Sequence, residues 1–423
     1  MVKKNINLIG SSLYSVFLAL ELSKTKKYNI AIYEKSKNFL NSFSSIKIEK
    51  KNCNQGFHAF ESIRSEKLIK NFKKNFSINL KKKNKSRGII IDKFILDSRE
   101  PYKNWPKSIT NQYSLKNKET KIKPELVLKK INQKYINFIH NNLGNKFEVE
   151  NTIQLIYPWF FPNNYLVKSE DEGSIHLNNV RQKKIEHSYY VPKHGLFEEL
   201  KAPIIKKLKN EGIKIHLNKN ITLIKKIFFD VFCDDKKLEG TSIITLPIFT
   251  ILNSIQNYKL KLPKIRPHKY YTALIKSNTK NVLDDYLEII VSSEKLKGLR
   301  RISNYSFIKK NKNYIYQIEF IEDKNYKNID LQIKSYVEGL RSIIKMNKNN
   351  KKINIKFKII GFKFLRYIFS PKNKILNDLV TKFDRLFKNQ KNIIIPRYIT
   401  WPINTNKQYL FSKIDISSIE KKI

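Results

Sequence analysis

The chain has 423 residues, enough for two or three domains or one large discontinuous one. Hydrophobic residues make up 41% and aromatics 12%, which excludes a disordered chain despite 28% charge, and 11 Gly with 13 Pro exclude collagen-like and low-complexity classes. The net charge is +48, carried by 84 basic against 36 acidic side chains, of which only 11 are Arg.

The first element is a short apolar strand, Asn5 to Ile9, followed at once by Gly10. Leu13 to Ser23 then places Leu13, Val16, Phe17 and Leu20 at helical spacing, and Tyr28 to Tyr33 reads as a second strand with Glu34 just after it. Strand, tight turn, helix and strand make a βαβ unit. From about 65 to 185 the pattern is less regular. It holds lysine-rich stretches such as Lys81 to Lys85, a helical pattern from Pro124 to Asn142, and an aromatic knot at Tyr157 to Pro162. The knot suits a core or domain interface, or a platform for a sugar or flat ring.

Order returns with the turn Tyr190-Val191-Pro192-Lys193-His194-Gly195 and a helix over Leu196 to Asn210. Strands are expected at Ile213 to Leu217, Ile221 to Ile227 and Ser242 to Leu246, the last closed by Pro247. Tyr314 to Ile321 and Ile353 to Ile360 read as strands, Ile329 to Lys345 as a helix, and Asn392 to Ile395 as a final strand. No internal repeat is visible.

Dinucleotide-binding turns of the G-x-G-x-x-G type bring backbone N–H groups at a helix N-terminus up to a pyrophosphate, and an acidic residue about 20 residues on binds a ribose hydroxyl. Here the turn is Gly10-Ser11-Ser12-Leu13-Tyr14-Ser15, with serine at the second and third glycine positions, and the acid is Glu34. Serine is small and its hydroxyl is able to donate to a phosphate. Taken alone, the turn fits a βαβ unit without ligand equally well.

Two further segments extend the pattern. One is Asn54-Gln55-Gly56-Phe57-His58-Ala59-Phe60-Glu61. The other runs from Tyr190 through Gly195, Leu200, Leu208, Gly212, Ile215 and Asn218 to Ile221, and is followed by Ser242-Ile243-Ile244-Thr245-Leu246-Pro247. Their order and spacing resemble the flavin-dependent amine oxidase superfamily, which includes protoporphyrinogen oxidases, phytoene desaturases and UDP-galactopyranose mutases. The resemblance covers residues 3–62 and 188–250, under a third of the chain. It implies FAD as cofactor, with Gly10, Ser11, Ser12 and Ser15 lining the pyrophosphate and Glu34 on the adenosine ribose. It places Gly56, Phe57 and His58 along the isoalloxazine ring, where Gly56 permits close backbone approach, and Ile221 or Thr222 at the adenine. The family's G-G-R segment after the acidic residue is replaced by Phe39-Leu40-Asn41-Ser42, and its C-terminal G-D or G-R by Ile395-Pro396-Arg397-Tyr398, where Arg397 is placed to meet a flavin phosphate or a substrate anion.

His58 is the one candidate for a catalytic role, as a proton-handling or flavin-tuning group; a loop histidine bonded to backbone is the alternative. His194, in the turn before Gly195, is a weaker site candidate. Arg300-Arg301 is the only Arg-Arg pair and suits either a diphosphate or carboxylate clamp or an exposed pair without a role. The histidines show no metal-ligand spacing, and no metal is expected. Cys53 and Cys233 form no C-x-x-C pair. The amino-terminal apolar stretch is too short to span a membrane and has no cleavage site after it. A reduced, cytoplasmic, soluble protein is therefore expected.

The basic excess is mostly lysine, 73 residues, accompanied by abundant Asn and Ile. A dedicated nucleic-acid surface favours Arg, whose guanidinium binds phosphates and base edges bidentately, so compositional drift on solvated faces is the reading here and no specific nucleic-acid partner is expected. The charge still allows salt-sensitive contact with polyanions or an anionic membrane surface.

The expected architecture is α/β: a Rossmann-like FAD/NAD(P)-binding domain from 1–90, 186–255 and 386–423, with an inserted α+β substrate domain from 91–185 and 256–385. The expected function is that of an FAD-dependent oxidoreductase or mutase acting on a small molecule, a nucleotide sugar among the options. The alternatives are a non-catalytic Rossmann-like relative, and a basic protein associated with nucleic acid or a membrane surface.

Overall fold

The computed structural model describes residues 2–55, 59–61, 66–91, 93–97, 189–225, 227–256, 268–305, 314–347, 354–368 and 392–396, with short pieces at 121–122, 166–167 and between 383 and 423. The principal elements of the amino-terminal part are β1 (Lys4–Ile9), α1 (Leu13–Ser23), β2 (Tyr28–Tyr33), the hairpin β3 (Ser45–Ile48) and β4 (Lys51–Asn54), β5 (Phe60–Glu61), α2 (Glu66–Phe76), β6 (Lys81–Lys83), β7 (Ser86–Ile91) and β8 (Phe94–Asp97). After residue 188 come β9 (Tyr189–Val191), α3 (Lys201–Asn210), β10 (Lys214–His216), β11 (Ile221–Lys225), β12 (Phe229–Cys233), β13 (Thr241–Ile244) and α4 (Ile248–Asn253). The remainder comprises β14 (His268–Ser277), β15 (Tyr286–Ser292), β16 (Leu299–Asn304), β17 (Tyr314–Ile321), α5 (Ile329–Asn347), β18 (Phe357–Ile368) and β19 (Ile393–Ile394).

The expected Rossmann-like layer is present as a five-stranded, all-parallel sheet in the order β10-β2-β1-β13-β19. β1 runs to β2 on one side, and the chain later returns to the other side of β1 as β13. The strand order thus reverses at β1, and the crevice outside the carboxyl ends of β1 and β13 is a topological switch point, where open α/β sheets bind ligands. α1 is buried on almost every face, from Leu13 through Leu20 and at Leu22, because it lies in the core that β1, β2 and β13 share with α2 and α3. Phe17 of α1 meets Phe72 and Phe76 of α2 at ring separations of 6.2 and 6.0 Å.

The helix expected over Leu196 to Asn210 is broken into a 3₁₀ turn, Phe197–Leu200, and then α3. Pro203 accounts for the break. It lacks an N–H and is tolerated only in a helix's first turn, so the α-helix starts at Lys201. The lysine stretch at 81–83 is a strand, with β9 paired antiparallel to it.

A second sheet of seven strands follows the order β18-β14-β17-β16-β15-β7-β8. It is antiparallel except for the β15–β7 pair. Residue 90, placed in the first domain on sequence grounds, lies in β7 of this sheet. One face of the sheet carries Ala273, Ile275, Ile289, Ile302, Tyr316, Ile318 and Phe320 and packs on α5 through Ile333, Tyr336, Val337, Leu340, Ile343 and Ile344. The hairpin β3–β4 meets the other face, where Ile48 and Cys53 join Leu274, Tyr305 and Ile315 in a small core. Most of 91–185, including the helical pattern from Pro124 and the aromatic knot, lies outside the described residues.

Candidate functional site

The turn at the switch point is built around Gly10. Its φ of +105° is one that side-chain-bearing residues rarely adopt, and a Cβ there would sit 2.9 Å from both Leu246 Cδ2 and Thr245 Oγ1. The Gly10 N–H donates to Tyr33 O at 2.8 Å, which ties the turn to the end of β2. Ser12 is extended, at φ −77° and ψ 163°, so the second glycine position makes no conformational demand for glycine. Its hydroxyl caps α1 by accepting from Ser15 N at 3.2 Å.

Ser15, at the third glycine position, is fully buried. Its hydroxyl lies 2.6 Å from Gly10 O and 2.7 Å from Thr245 Oγ1, and Thr245 in turn donates to Ile9 O at 2.8 Å. Ser12 Oγ lies 3.1 Å from Ser15 Oγ. Three hydroxyl protons therefore find acceptors if the chain runs from Ser12 to Ser15, from Ser15 to Gly10 O or Thr245, and from Thr245 to Ile9 O. The close helix–strand packing that glycine normally permits is here achieved by a hydroxyl network. Ser15 serves the packing and turns its hydroxyl into the protein.

Glu34 closes the turn. Its Oε2 accepts from Ser11 N at 3.0 Å and from Ser11 Oγ at 2.6 Å, and its Oε1 accepts from Ser36 N at 2.8 Å. Ser11 Oγ also accepts from Leu40 N at 3.0 Å, which draws in the segment that replaces the G-G-R. A carboxylate has about four lone-pair sites, and three donors occupy three of them. One site on Oε1 is left for a further donor.

Ile221 and Thr222, expected on sequence grounds at the adenine, come to the same place. The Asn218 N–H donates to Ser36 O at 3.3 Å and the Lys219 N–H to Glu34 O at 2.9 Å, so β11 begins beside Glu34 with Ile221 and Thr222, both half-buried. His216, at the end of β10, stacks on Tyr33 with ring centroids 4.8 Å apart. Burial holds its imidazole below its ordinary pKa, and Lys219 and Lys214 add to this.

Gly56, Phe57 and His58 lie outside the described residues, as does Arg397. What holds the segment before Gly56 is Asn54. Its side chain donates to Gly195 O and accepts from Phe197 N, each at 2.9 Å, and its carbonyl accepts from Gln317 Nε2 at 2.8 Å. Asn54 thus pins the approach to Gly56 between the Gly195 turn and the second sheet. His194 sits in that turn with its backbone N–H donated to the Glu199 carboxylate, and Gly195 takes φ +86°.

The sheet face toward Asn54 is polar and buried. Cross-strand register sets Glu288, Ser303, Gln317 and Leu274 in one row, and Ile290, Arg301, Glu319 and Thr272 in the next. Arg301 donates to Glu319 at 2.7 Å and lies 3.6 Å from Glu288, while Tyr270 OH donates to the same Glu319 oxygen at 2.7 Å. The Arg301 guanidinium is thus committed to the protein's own carboxylates, which argues against its use as an anion clamp.

No protein-family model matches the sequence, and no curated relative does. Solved structures do match. A reduced UDP-galactopyranose mutase superposes with a TM-score of 0.68 at 10% identity, over 100% of this chain and 95% of that one. A putative protoporphyrinogen oxidase from Exiguobacterium gives 0.59 at 10% identity over 100% of both chains. A putrescine oxidase bound to putrescine gives 0.59 at 8% identity over 99% of both.

The chain shares their fold. Two groups named by the sequence resemblance, the mutases and the protoporphyrinogen oxidases, recur as structural neighbours.

The turn fits an adenine dinucleotide. α1 presents its N-terminus with no acidic residue in the first turn, leaving its dipole free to favour an anion, and Glu34 keeps one acceptor site for a ribose hydroxyl. Thr245, Asn54, Ser303 and Gln317 were not singled out as site residues on sequence grounds. Thr245 was visible only as one letter of the Ser242–Pro247 strand. The β17 residues carried a period-2 signal, Gln317 and Glu319 alternating with Tyr316, Ile318 and Phe320. Such alternation ordinarily marks a solvated face, and burial of that face depends on the rest of the chain.

Proposed function

We propose that the chain is an FAD-dependent oxidoreductase or mutase acting on a small molecule, with a nucleotide sugar the first substrate class to test. The observation that carries this reading is the Gly10–Ser15 turn at the switch point, closed by a Glu34 carboxylate that retains one acceptor site. In this reading Gly10 makes the turn, and Ser11 and Ser12 border the pyrophosphate at the N-terminus of α1. Glu34 accepts from the adenosine ribose. Ile221 or Thr222 flanks the adenine, Gly56, Phe57 and His58 run beside the isoalloxazine, and Arg397 meets a phosphate. When bound, the flavin supplies hydride-accepting or nucleophilic chemistry. The chain's own residues bind and orient it and hold the substrate against the polar face of the second sheet, which acts as the inserted α+β substrate domain.

One observation favours the non-catalytic alternative: the Ser12–Ser15–Thr245 and Ser11–Glu34 networks satisfy the turn internally. Cofactor selectivity separates the two. A calorimetric titration is expected to give saturable binding of FAD, none of FMN, which lacks the adenosine half, and at least tenfold weaker FAD binding in Glu34→Ala. Absence of FAD binding by the folded protein would leave the non-catalytic reading.

The proposed setting is the cytoplasm, supported by two free and buried cysteines. Among the described residues no helix is long and apolar enough to cross a membrane. The +48 charge contributes only salt-sensitive, sequence-independent contact with polyanions or anionic membranes in this account.

A further inference from the structure

Two polar atoms on the buried face of the second sheet have no hydrogen-bond partner among the described residues: Gln317 Oε1 and Ser303 Oγ. Both residues are deeply buried, at 1% and 5% exposure, and they are direct cross-strand partners on β17 and β16. Directly opposed side chains on one face of an antiparallel pair lie roughly 5 Å apart at Cβ. The orientation of Gln317 is fixed by chemistry. Its Nε2 donates to Asn54 O at 2.8 Å and to Thr272 Oγ1 at 3.1 Å, and a carbonyl oxygen only accepts. The nitrogen therefore points to Asn54, and Oε1 is held as an acceptor on the same buried face. Unpaired buried polar groups are rare because each forfeits its hydration without replacement. Two adjacent ones, beside the residue that pins the approach to Gly56, mark a place where something is bound.

The surroundings say what kind of group it is. Gln317 Oε1 only accepts, whereas Ser303 Oγ both donates and accepts. The charged residues in reach are engaged with one another. Glu288 and Glu319 are met by Arg301, and Arg300 lies within the field of Glu319 as well. An anion would face Gln317 Oε1, which has no proton to give it, and a cation would find the two carboxylates already paired with Arg301. A neutral group that donates and accepts fits both atoms, and this is a hydroxyl.

We infer that Ser303 and Gln317 form the part of the substrate site that reads hydroxyl groups, and that the substrate presents a polyhydroxylated, sugar-like portion to this face. This rests on the proposed function, in which the substrate lies against the polar face of the second sheet.

The test uses Ser303→Ala in the full chain. Because the Ser303 hydroxyl has no partner among the described residues, its removal is expected to leave the melting temperature unchanged or raised. Wild type and variant are titrated calorimetrically with UDP-galactose, UDP-glucose, GDP-mannose, UDP and putrescine, and FAD retention is measured on the same preparations. The inference expects at least one nucleotide sugar to bind the wild type, to bind the variant about tenfold more weakly, as loss of one buried hydrogen bond implies, and UDP to bind both equally. Any of four results would overturn it: no nucleotide sugar binds, putrescine alone binds, the variant matches wild type for every ligand so that the pair holds only water, or the variant melts lower with its affinities unchanged. Failure to retain FAD would count instead against the flavin reading, since the sugar titrations do not depend on flavin absorbance.

Discussion

Replacing Ser15 by glycine, the residue that dinucleotide-binding turns ordinarily carry at this position, is expected to weaken the protein. Ser15 Oγ accepts from Ser12 Oγ at 3.1 Å and shares its one proton between Gly10 O at 2.6 Å and Thr245 Oγ1 at 2.7 Å, two bonds in a site without solvent access. At roughly 1 kcal/mol for each neutral hydrogen bond, their loss costs about 2 kcal/mol. Glycine within the first turn of α1 adds roughly 0.5 kcal/mol relative to serine. Thr245 keeps its bond to Ile9 O, so no buried hydroxyl is stranded and the total stays near 2.5 kcal/mol on the same scales. At about 2–4 °C per kcal/mol for domains of 150–250 residues, the thermal midpoint should fall by roughly 5–10 °C. Ser15→Ala should cost about 2 kcal/mol, since only the bonds are lost. A double-mutant cycle with Thr245→Val should return a coupling of about 1 kcal/mol between the two hydroxyls. The assay is thermal unfolding followed by far-UV circular dichroism, with urea unfolding as a second probe. A Ser15→Gly variant as stable as wild type, or more stable, would refute the view that a hydroxyl network has replaced the glycine.

Gly10→Ala forces a side chain into φ +105° and places its Cβ 2.9 Å from Leu246 and Thr245; it should cost about 2–4 kcal/mol and abolish FAD binding, whereas an Ala variant that binds FAD normally would remove Gly10 from the site. Half-buried His216 has its pKa depressed in the folded state and protonates at higher pH when unfolded, so its contribution to stability is complete above about pH 6.5 and declines as pH falls through the folded value. His216→Phe, which preserves the stack on Tyr33, should flatten the pH dependence of the urea midpoint below about pH 6.5, and an unchanged slope would contradict the assignment. Burial pushes the Cys53 thiol up to about 12 and raises that of Cys233 as well. Neither should react with an alkylating reagent at pH 8 until urea is added, and rapid labelling of the native protein would show that one of them is accessible.

The sequence exposed the parts whose signals are local. β1, α1 and β2 were legible because an apolar run, a glycine and a helical repeat each mark an element without reference to the rest of the chain, and the observed bounds of α1 and β2 are those expected. The charged strands were hidden. Lys81–Lys83 reads as a solvated run, yet β9 lies antiparallel to it, and a ladder made by backbone N–H and C=O groups does not require apolar side chains. The hairpin β3–β4 carries lysines on both strands and gave no alternation strong enough to see. At the site, Gly10 and Glu34 were visible from their spacing, since one βαβ unit fixes both. Asn54, Thr245 and Gln317 owe their roles to partners 140 or more residues away in sequence. Gln317 reaches Asn54, and Ser15 reaches Thr245, only after the sheets have formed. Whether a polar residue in a strand meets solvent or a site is decided by what the rest of the chain lays over it.

The most direct measurement is an absorption spectrum of the protein purified without added cofactor, followed by titration with FAD. The account predicts either flavin bands in the purified protein or saturable uptake of one FAD per chain. A folded protein that shows neither would contradict the central claim and leave the Gly10–Glu34 turn a structural element of a βαβ unit.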